Sequence, residues 1–347
     1  MTSARGVARA AVVAAMVLLA AGAVQAAITI DTVPVGDPGN AADTRYNSMS
    51  VGAVAYSYNI GKYEVTAGQY TAFLKAVAGV DTYALYNTGM SSTSSGGITR
   101  SGGGTVGNPY TYSVAPAFTN RPVNYVSWGD VARFTNWLTN GQPTGSQNLT
   151  TTENGSYYLN GVNTDAALLA VTRLADAMRV PGKKYYFTPT EDEWYKAAYY
   201  KGGSTSAGYW DYPTGTNMIP DRVMSEATSP GNNANYYADG ATYPIDSGQY
   251  YTTVVGQFYL SDSPYGTFDQ GGNVSEWNEA VNGSSRCLRG GRFNDYYISM
   301  LAYQRAASYP PYEFRSIGFR VAEVPEPATM SLLALGGLGV LMRRRTR

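Results

Sequence analysis

The residues able to do chemistry are few, and two counts narrow them. The 347-residue chain has no histidine and a single cysteine, Cys287. Without histidine there is no Ser-His-Asp hydrolysis, no Cys-His proteolysis, no His-bound zinc and no facial-triad iron. One cysteine permits no internal disulfide, no CxxC redox pair and no thiolate-rich metal site. What remains is oxygen chemistry. The segment Asp269-Gln270-Gly271-Gly272-Asn273-Val274-Ser275-Glu276 sets two carboxylates around a glycine turn, a donor type that hard cations such as calcium prefer. Tyrosines number 31. Tyr185, Tyr186, Tyr199, Tyr200, Tyr209, Trp210 and Tyr212 form one group; Tyr296, Tyr297, Tyr303, Tyr309 and Tyr312 form another. A tyrosine joins a stacking face to a hydroxyl, which suits sugars or peptides, and it equally suits a core that reaches water.

Elements must position these residues, and three carry helix-start chemistry. Thr66-Ala67-Gly68-Gln69 reads as a capping box, with Tyr70, Phe73, Leu74 and Val77 following on one face. Ser127-Trp128-Gly129-Asp130 repeats the signal, and its helix should end near Asn140-Gly141. Thr190-Glu191-Asp192-Glu193 gives a third, with Trp194, Ala197 and Ala198 behind it. Strand-like pieces are short: 27–33, 56–65, 252–258 and 318–322. Stretches rich in Gly, Ser, Thr and Asn, 88–118 and 141–165, read as long loops. No repeat of solenoid or propeller length is visible. Charged residues are only 14%, yet 44% hydrophobic and 13% aromatic residues suffice for a core, so global disorder is excluded. The expected class is α+β, loop-rich, with little regular secondary structure.

Both ends read as addresses. Residues 1–26 have the form of a signal peptide: Arg5 and Arg9, an apolar stretch 10–24, then Val24-Gln25-Ala26 for signal peptidase. Residues 324–347 begin Val324-Pro325-Glu326-Pro327, continue apolar through 328–342 and end on Arg343, Arg344, Arg345 and Arg347. This order resembles the PEP-CTERM sorting signal of Gram-negative bacteria. The resemblance implies cleavage by an exosortase, transient anchoring in the inner membrane with the arginines on the cytoplasmic side, and a place in the cell envelope or extracellular matrix, often beside exopolysaccharide. Without these ends the chain loses six arginines and one glutamate. The middle, 27–323, keeps 19 basic and 24 acidic residues, a net of −5. Nucleic acid is therefore excluded as a partner, since phosphate binding needs a basic surface.

Six blocks within the middle name a family. They are Ile60-Gly61-Lys62-Tyr63-Glu64-Val65-Thr66, Arg121-Pro122-Val123-Asn124-Tyr125-Val126-Ser127-Trp128, Thr188-Pro189-Thr190-Glu191-Asp192-Glu193-Trp194, Gly272-Asn273-Val274-Ser275-Glu276-Trp277, Leu288-Arg289-Gly290-Gly291 and Ile317-Gly318-Phe319-Arg320-Val321. In this order they resemble the sulfatase-modifying-factor family, the formylglycine-generating enzyme domain, over about 28–322. The resemblance implies a C-type-lectin-like α+β fold over a domain at 27–323. Enzymes of that family oxidise a sulfatase cysteine to formylglycine with copper(I) held by two cysteines. Counted back from Gly318-Phe319-Arg320, those positions fall near Tyr297 and Ala302, and neither offers sulfur; Arg305 matches an arginine of the same segment. Copper(I) needs soft thiolates, so copper is not expected. A second branch of the family uses histidine-ligated iron, which this chain cannot hold.

The same resemblance implies calcium. One site would use Asp269, the Gly272 and Val274 carbonyls and Glu276. Ser275 stands where the family has tryptophan. A second would use Asn235, the Tyr236 carbonyl and an acidic position at Asp246 or Ser247. A binding cleft is expected at the former catalytic position, among Tyr297, Ala302, Tyr303 and Arg305. Arg289, Arg292, Arg305 and Arg320 read as braces to carboxylates and carbonyls. The sequence thus points to an exported, non-catalytic, calcium-stabilised domain that binds a polysaccharide or an envelope protein. The alternatives are a formylglycine-generating oxidase and a structural matrix component.

Overall fold

The computed structural model describes residues 27–46, 50–226, 231–246 and 248–324. Both terminal signals and Ser247 lie outside the described residues. The strands are β1 Thr32–Val35, β2 Tyr58–Gly61, β3 Ile98–Ser101, β4 Thr111–Val114, β5 Tyr185–Phe187, β6 Ser275–Asn282, β7 Ser285–Arg289, β8 Ala306–Ser308, β9 Ile317–Gly318 and β10 Ala322–Val324. The helices are α1 Ala67–Val77, α2 Trp128–Thr139, α3 Asp165–Ala170 and α4 Glu191–Tyr199. Strands β1-β2-β10-β5 form one antiparallel sheet. Strands β8-β7-β6-β9 form another, with β9 parallel to β6. Strands β3 and β4 make a separate hairpin.

The three expected helix starts are present as capping boxes on Thr66, Ser127 and Thr190. Each reciprocal pair satisfies amide donors that a helix N-terminus would otherwise leave bare. Helix α2 ends at Asn140, and Gly141 takes the left-handed φ of +81° that ends a helix cheaply. All twelve residues of α2 are buried. Its Phe134 meets Tyr70 and Phe73 of α1 and Phe319 after β9, with centroids at 6.0, 5.3 and 5.3 Å. Arg133 can be buried there because Glu153 takes its Nε at 2.8 Å.

Two expectations are corrected. The stretch 252–258 is not a strand. Its amides go to other partners: Thr253 N–H to Asn273 Oδ1, Val255 N–H to the Asn120 carbonyl and Gly256 N–H to Asp269 Oδ2. The stretch 88–118 is not wholly loop, since it contains the β3–β4 hairpin, which runs in register from Ile98↔Val114 to Ser101↔Thr111.

The capping box of α2 carries a pH prediction. Asp130 Oδ2 accepts from Ser127 N–H at 2.8 Å and Ser127 Oγ at 2.7 Å. Glu313 hydrogen-bonds the same carboxyl and also meets Asn87. Burial and the Asp130 charge push Glu313 up to about 8, and burial pushes Asp130 up to about 6. The folded pair therefore holds protons that the unfolded chain releases, so its contribution is intact at low pH and lost as pH rises through about 8. Glu313→Gln should flatten the slope of unfolding free energy against pH between about 5 and 8, followed by urea titration. An unchanged slope refutes the shared proton.

Candidate functional site

The turn 269–276 delivers its groups to one buried point. Asp269, Gly272 and Asn273 have φ of +58°, +81° and +57°. Gly272 forms a parallel bridge with Asn235, whose carbonyl lies against the glycine where a Cβ would stand. Only glycine allows that approach. The chain then enters β6, which carries Glu276 inward. Trp194, on α4, donates Nε1–H to Glu276 Oε2 at 2.6 Å. Arg320, between β9 and β10, grips the same carboxylate with Nε on Oε2 at 2.6 Å and Nη2 on Oε1 at 2.7 Å. Arg320 also donates to the carbonyls of Gly61 at 2.9 Å and Phe268 at 2.8 Å.

Glu64, just beyond β2, is buried in the same place. It accepts Asn273 Nδ2–H at 2.8 Å and the Val274 amide at 3.2 Å. Buried Glu64 and Glu276 and half-buried Asp269 thus lie near one guanidinium, that of Arg320, which bonds the Glu276 carboxylate. Burial, then repulsion from Asp269 and Glu276, lifts Glu64 well above the usual carboxylate range. Burial pushes Asp269 up to about 6. Asp269 and Glu276 are hard oxygen donors of the kind calcium prefers, with Arg320 already occupying part of Glu276. Glu276 Oε1 accepts one hydrogen bond and keeps a lone pair. Among the described residues no three carboxylate or thiol side chains converge to hold a metal. An ion here would rely on the carbonyls of Gly272 and Val274 beside Asp269 and Glu276.

The second expected set fits less well. Asn235 is buried and its Oδ1 has no hydrogen-bond partner among the described residues, as a ligand position would require. The Tyr236 carbonyl, however, already accepts Arg222 Nε–H at 2.5 Å. Asp246 is ion-paired with Arg121. Arginines thus occupy oxygens of both sets: Arg320 at Glu276 in the first, Arg222 and Arg121 at Tyr236 and Asp246 in the second. Ser247 lies outside the described residues.

The expected cleft is also corrected. Ala302 is fully buried, with its amide on the Asp211 carbonyl at 2.9 Å and its carbonyl on Arg289 at 2.8 Å. It packs among Val51, Trp194, Tyr195 and Tyr199, so it lines no open cleft. Tyr297 is half-buried with its ring 6.5 Å from that of Tyr236. Tyr303 is exposed and packs on Tyr46 at 5.3 Å. Arg305 pairs with Glu191 at 2.7 Å. The arginine braces are as expected: Arg289 also holds Glu191, at 2.7 Å, and Arg292 holds Asp295, at 3.0 Å. Cys287, on β7, is buried and in register with Ala307. Burial, aided by Glu191, raises its thiol pKa despite a hydrogen bond from Arg305. That is the opposite of what a thiolate ligand needs.

Sequence reasoning missed Glu64 and Asn273 as members of the site. Both lie inside the family blocks, which was the available signal.

The comparisons with known proteins bear on the family and the fold. The sulfatase-modifying factor enzyme 1-like domain profile matches residues 4–324. The PEP-CTERM protein-sorting motif matches residues 323–345. Among solved structures, Treponema denticola variable protein 1 is similar with a TM-score of 0.52 and 20% identity, covering 85% of this chain and 95% of that one. A protein called CarF is similar with a TM-score of 0.50 and 21% identity, covering 85% of this chain and 98% of that one. At that identity the likeness shows the fold: mixed helices and short sheets with much ordered loop. No curated protein matches the chain in sequence.

Proposed function

The chain belongs to the sulfatase-modifying factor enzyme 1-like domain family, and on that premise we propose that it is a non-catalytic, calcium-stabilised domain that binds a polysaccharide or protein outside the inner membrane. Its sorting motif marks it for exosortase-mediated sorting, export and the cell envelope. The observation that supports the loss of catalysis is chemical. The positions matching the family's cysteines are Tyr297 and Ala302, and the one thiol, Cys287, is buried with its pKa raised by that burial. Copper(I) finds no pair of thiolates in this chain.

Calcium would be held by Asp269, Glu276 and the carbonyls of Gly272 and Val274, where it would add a second positive charge beside Arg320. The ion would supply stability, not a reaction step. Asn235 and Gly272 are bridged, so ordering the turn would also order the segment at Asn235.

Thermal unfolding tests this reading. A ligand at 100 times its Kd adds about 2.7 kcal/mol, which is roughly 5 °C or more for a domain of this size. EGTA should lower the Tm by that much, calcium should restore it, and Asp269→Ala should abolish the difference. A Tm indifferent to both chelator and calcium contradicts the calcium reading.

A further inference from the structure

The segment 309–316 crosses the surface beside the start of α2 with its backbone held at four points. The Pro310 carbonyl accepts the Trp128 amide at 2.8 Å, and the Phe314 carbonyl accepts the Tyr125 amide at 2.9 Å. The Arg315 carbonyl accepts Asn124 Nδ2–H at 2.7 Å, and the Ser316 carbonyl accepts the Ser275 amide at 2.9 Å. Glu313 turns inward, to Asn87 and Asp130. Its neighbours turn outward: Tyr312 is 47% and Phe314 44% exposed, with Tyr309 at 42%. The three rings touch in series, at 5.3 and 5.7 Å between centroids. Large apolar faces displayed on an anchored backbone mark an interaction surface.

Arg315 lies next to them, exposed, with its guanidinium 5.3 Å from the ring centre of Tyr251. Tyr251 begins a second aromatic row, through Tyr243 at 5.7 Å and Tyr237 at 5.2 Å to Tyr296 at 5.2 Å. Among the described residues Arg315 makes no ion pair. The net charge of −5 works against a polyanion over the domain as a whole, but this face locally offers an unpaired cation between two rows of aromatic rings.

We propose that this face binds a polysaccharide bearing carboxylate groups. Sugar rings stack on Tyr309, Tyr312 and Phe314, and Arg315 receives a carboxylate. The inference rests on the extracellular-binding reading above and names its ligand. Aromatic faces take the C–H faces of pyranose rings, and phenol hydroxyls reach the sugar hydroxyls. A guanidinium matches a carboxylate with two parallel hydrogen bonds. An apolar peptide would leave Arg315 without a counter-charge. The anchored backbone keeps the ordering entropy of binding small.

Titration calorimetry of the full domain with polygalacturonate, alginate and hyaluronan, and with neutral dextran, tests it. At least one acidic polymer should bind, dextran should bind at least about tenfold more weakly, and high salt should weaken the acidic polymer. Arg315→Gln should weaken the acidic polymer about tenfold, and Tyr312→Ala by a similar factor, with circular dichroism unchanged. Arg315→Lys should retain part of the affinity. Acidic binding that ignores both Arg315→Gln and Tyr312→Ala overturns this face as the site while the general binding reading stands. Silence of all three acidic polymers, or dextran binding as tightly as they do, overturns the ligand class. Capture of an envelope protein in their place, lost with Tyr312→Ala, does the same.

Discussion

Arg320→Met should lower the unfolding free energy by about 3–5 kcal/mol, the usual result of removing one partner of a buried ion pair. The Arg320 side chain is 0% exposed and that of Glu276 is 1% exposed. Arg320 is ion-paired with Glu276, near Glu64 and Asp269, and it also satisfies the carbonyls of Gly61 and Phe268. Removing it leaves Glu276 buried and short of a counter-charge, next to two carboxyls whose own pKa values are already raised. Methionine keeps the volume, so the loss reads electrostatics and hydrogen bonding rather than a cavity. Adding Glu276→Gln to Arg320→Met should recover part of the stability, because the stranded charge is gone. Urea unfolding of the two single variants and the double variant measures this. A loss below about 1 kcal/mol for Arg320→Met would mean that the cluster is not held by its arginine.

Gly272→Ala is the second large effect. The residue sits at a φ of +81°, where an L side chain is strained by about 1–3 kcal/mol. An added Cβ would also collide with the Asn235 carbonyl. Relief requires the bridge between Asn235 and Gly272 to open. The turn carrying Asp269 and Glu276 would then shift relative to Asn235. The variant should lose stability of at least about 2 kcal/mol and also lose the calcium-dependent rise in Tm. Gly240→Ala is a suitable control: its φ is +70° and a Cβ there would meet nothing within 4 Å. It isolates the backbone strain. If Gly272→Ala and Gly240→Ala behave alike, the close approach at Gly272 has no special weight.

The helices α1, α2 and α4 were legible because their starts are local: each capping box spans four residues and needs no partner from elsewhere; α3, whose Thr164 caps with no side-chain hydrogen bond, was not. Most strands were not, because all but β6 are two to five residues long and exist through distant pairing; the eight-residue β6 was missed as well. Val324 of β10, for example, pairs with Tyr185 of β5. The carboxylate turn at Asp269 and Glu276 was visible as a motif. Its surroundings were not, since Glu64 lies 210 residues from the Val274 amide it accepts. Ala302 shows a different limit. A small residue replacing a reactive one reads as space, but Trp194, Tyr195 and Tyr199 fill that space with rings. Many tyrosines near it are core, including Tyr195, Tyr199, Tyr200 and Tyr209, each 5% exposed or less. Of the second group, Tyr296, Tyr303, Tyr309 and Tyr312 lie at the surface, as Tyr158 and Tyr259 do elsewhere.

The most direct measurement is to incubate the copper(I)-treated domain, under air, with a peptide containing Cys-x-Pro-x-Arg and to look for aldehyde by mass spectrometry. An inert scaffold yields none and retains no stoichiometric copper. Aldehyde that forms with turnover and disappears in Cys287→Ser would show that this buried thiol reaches a metal after all, and the non-catalytic account would fall.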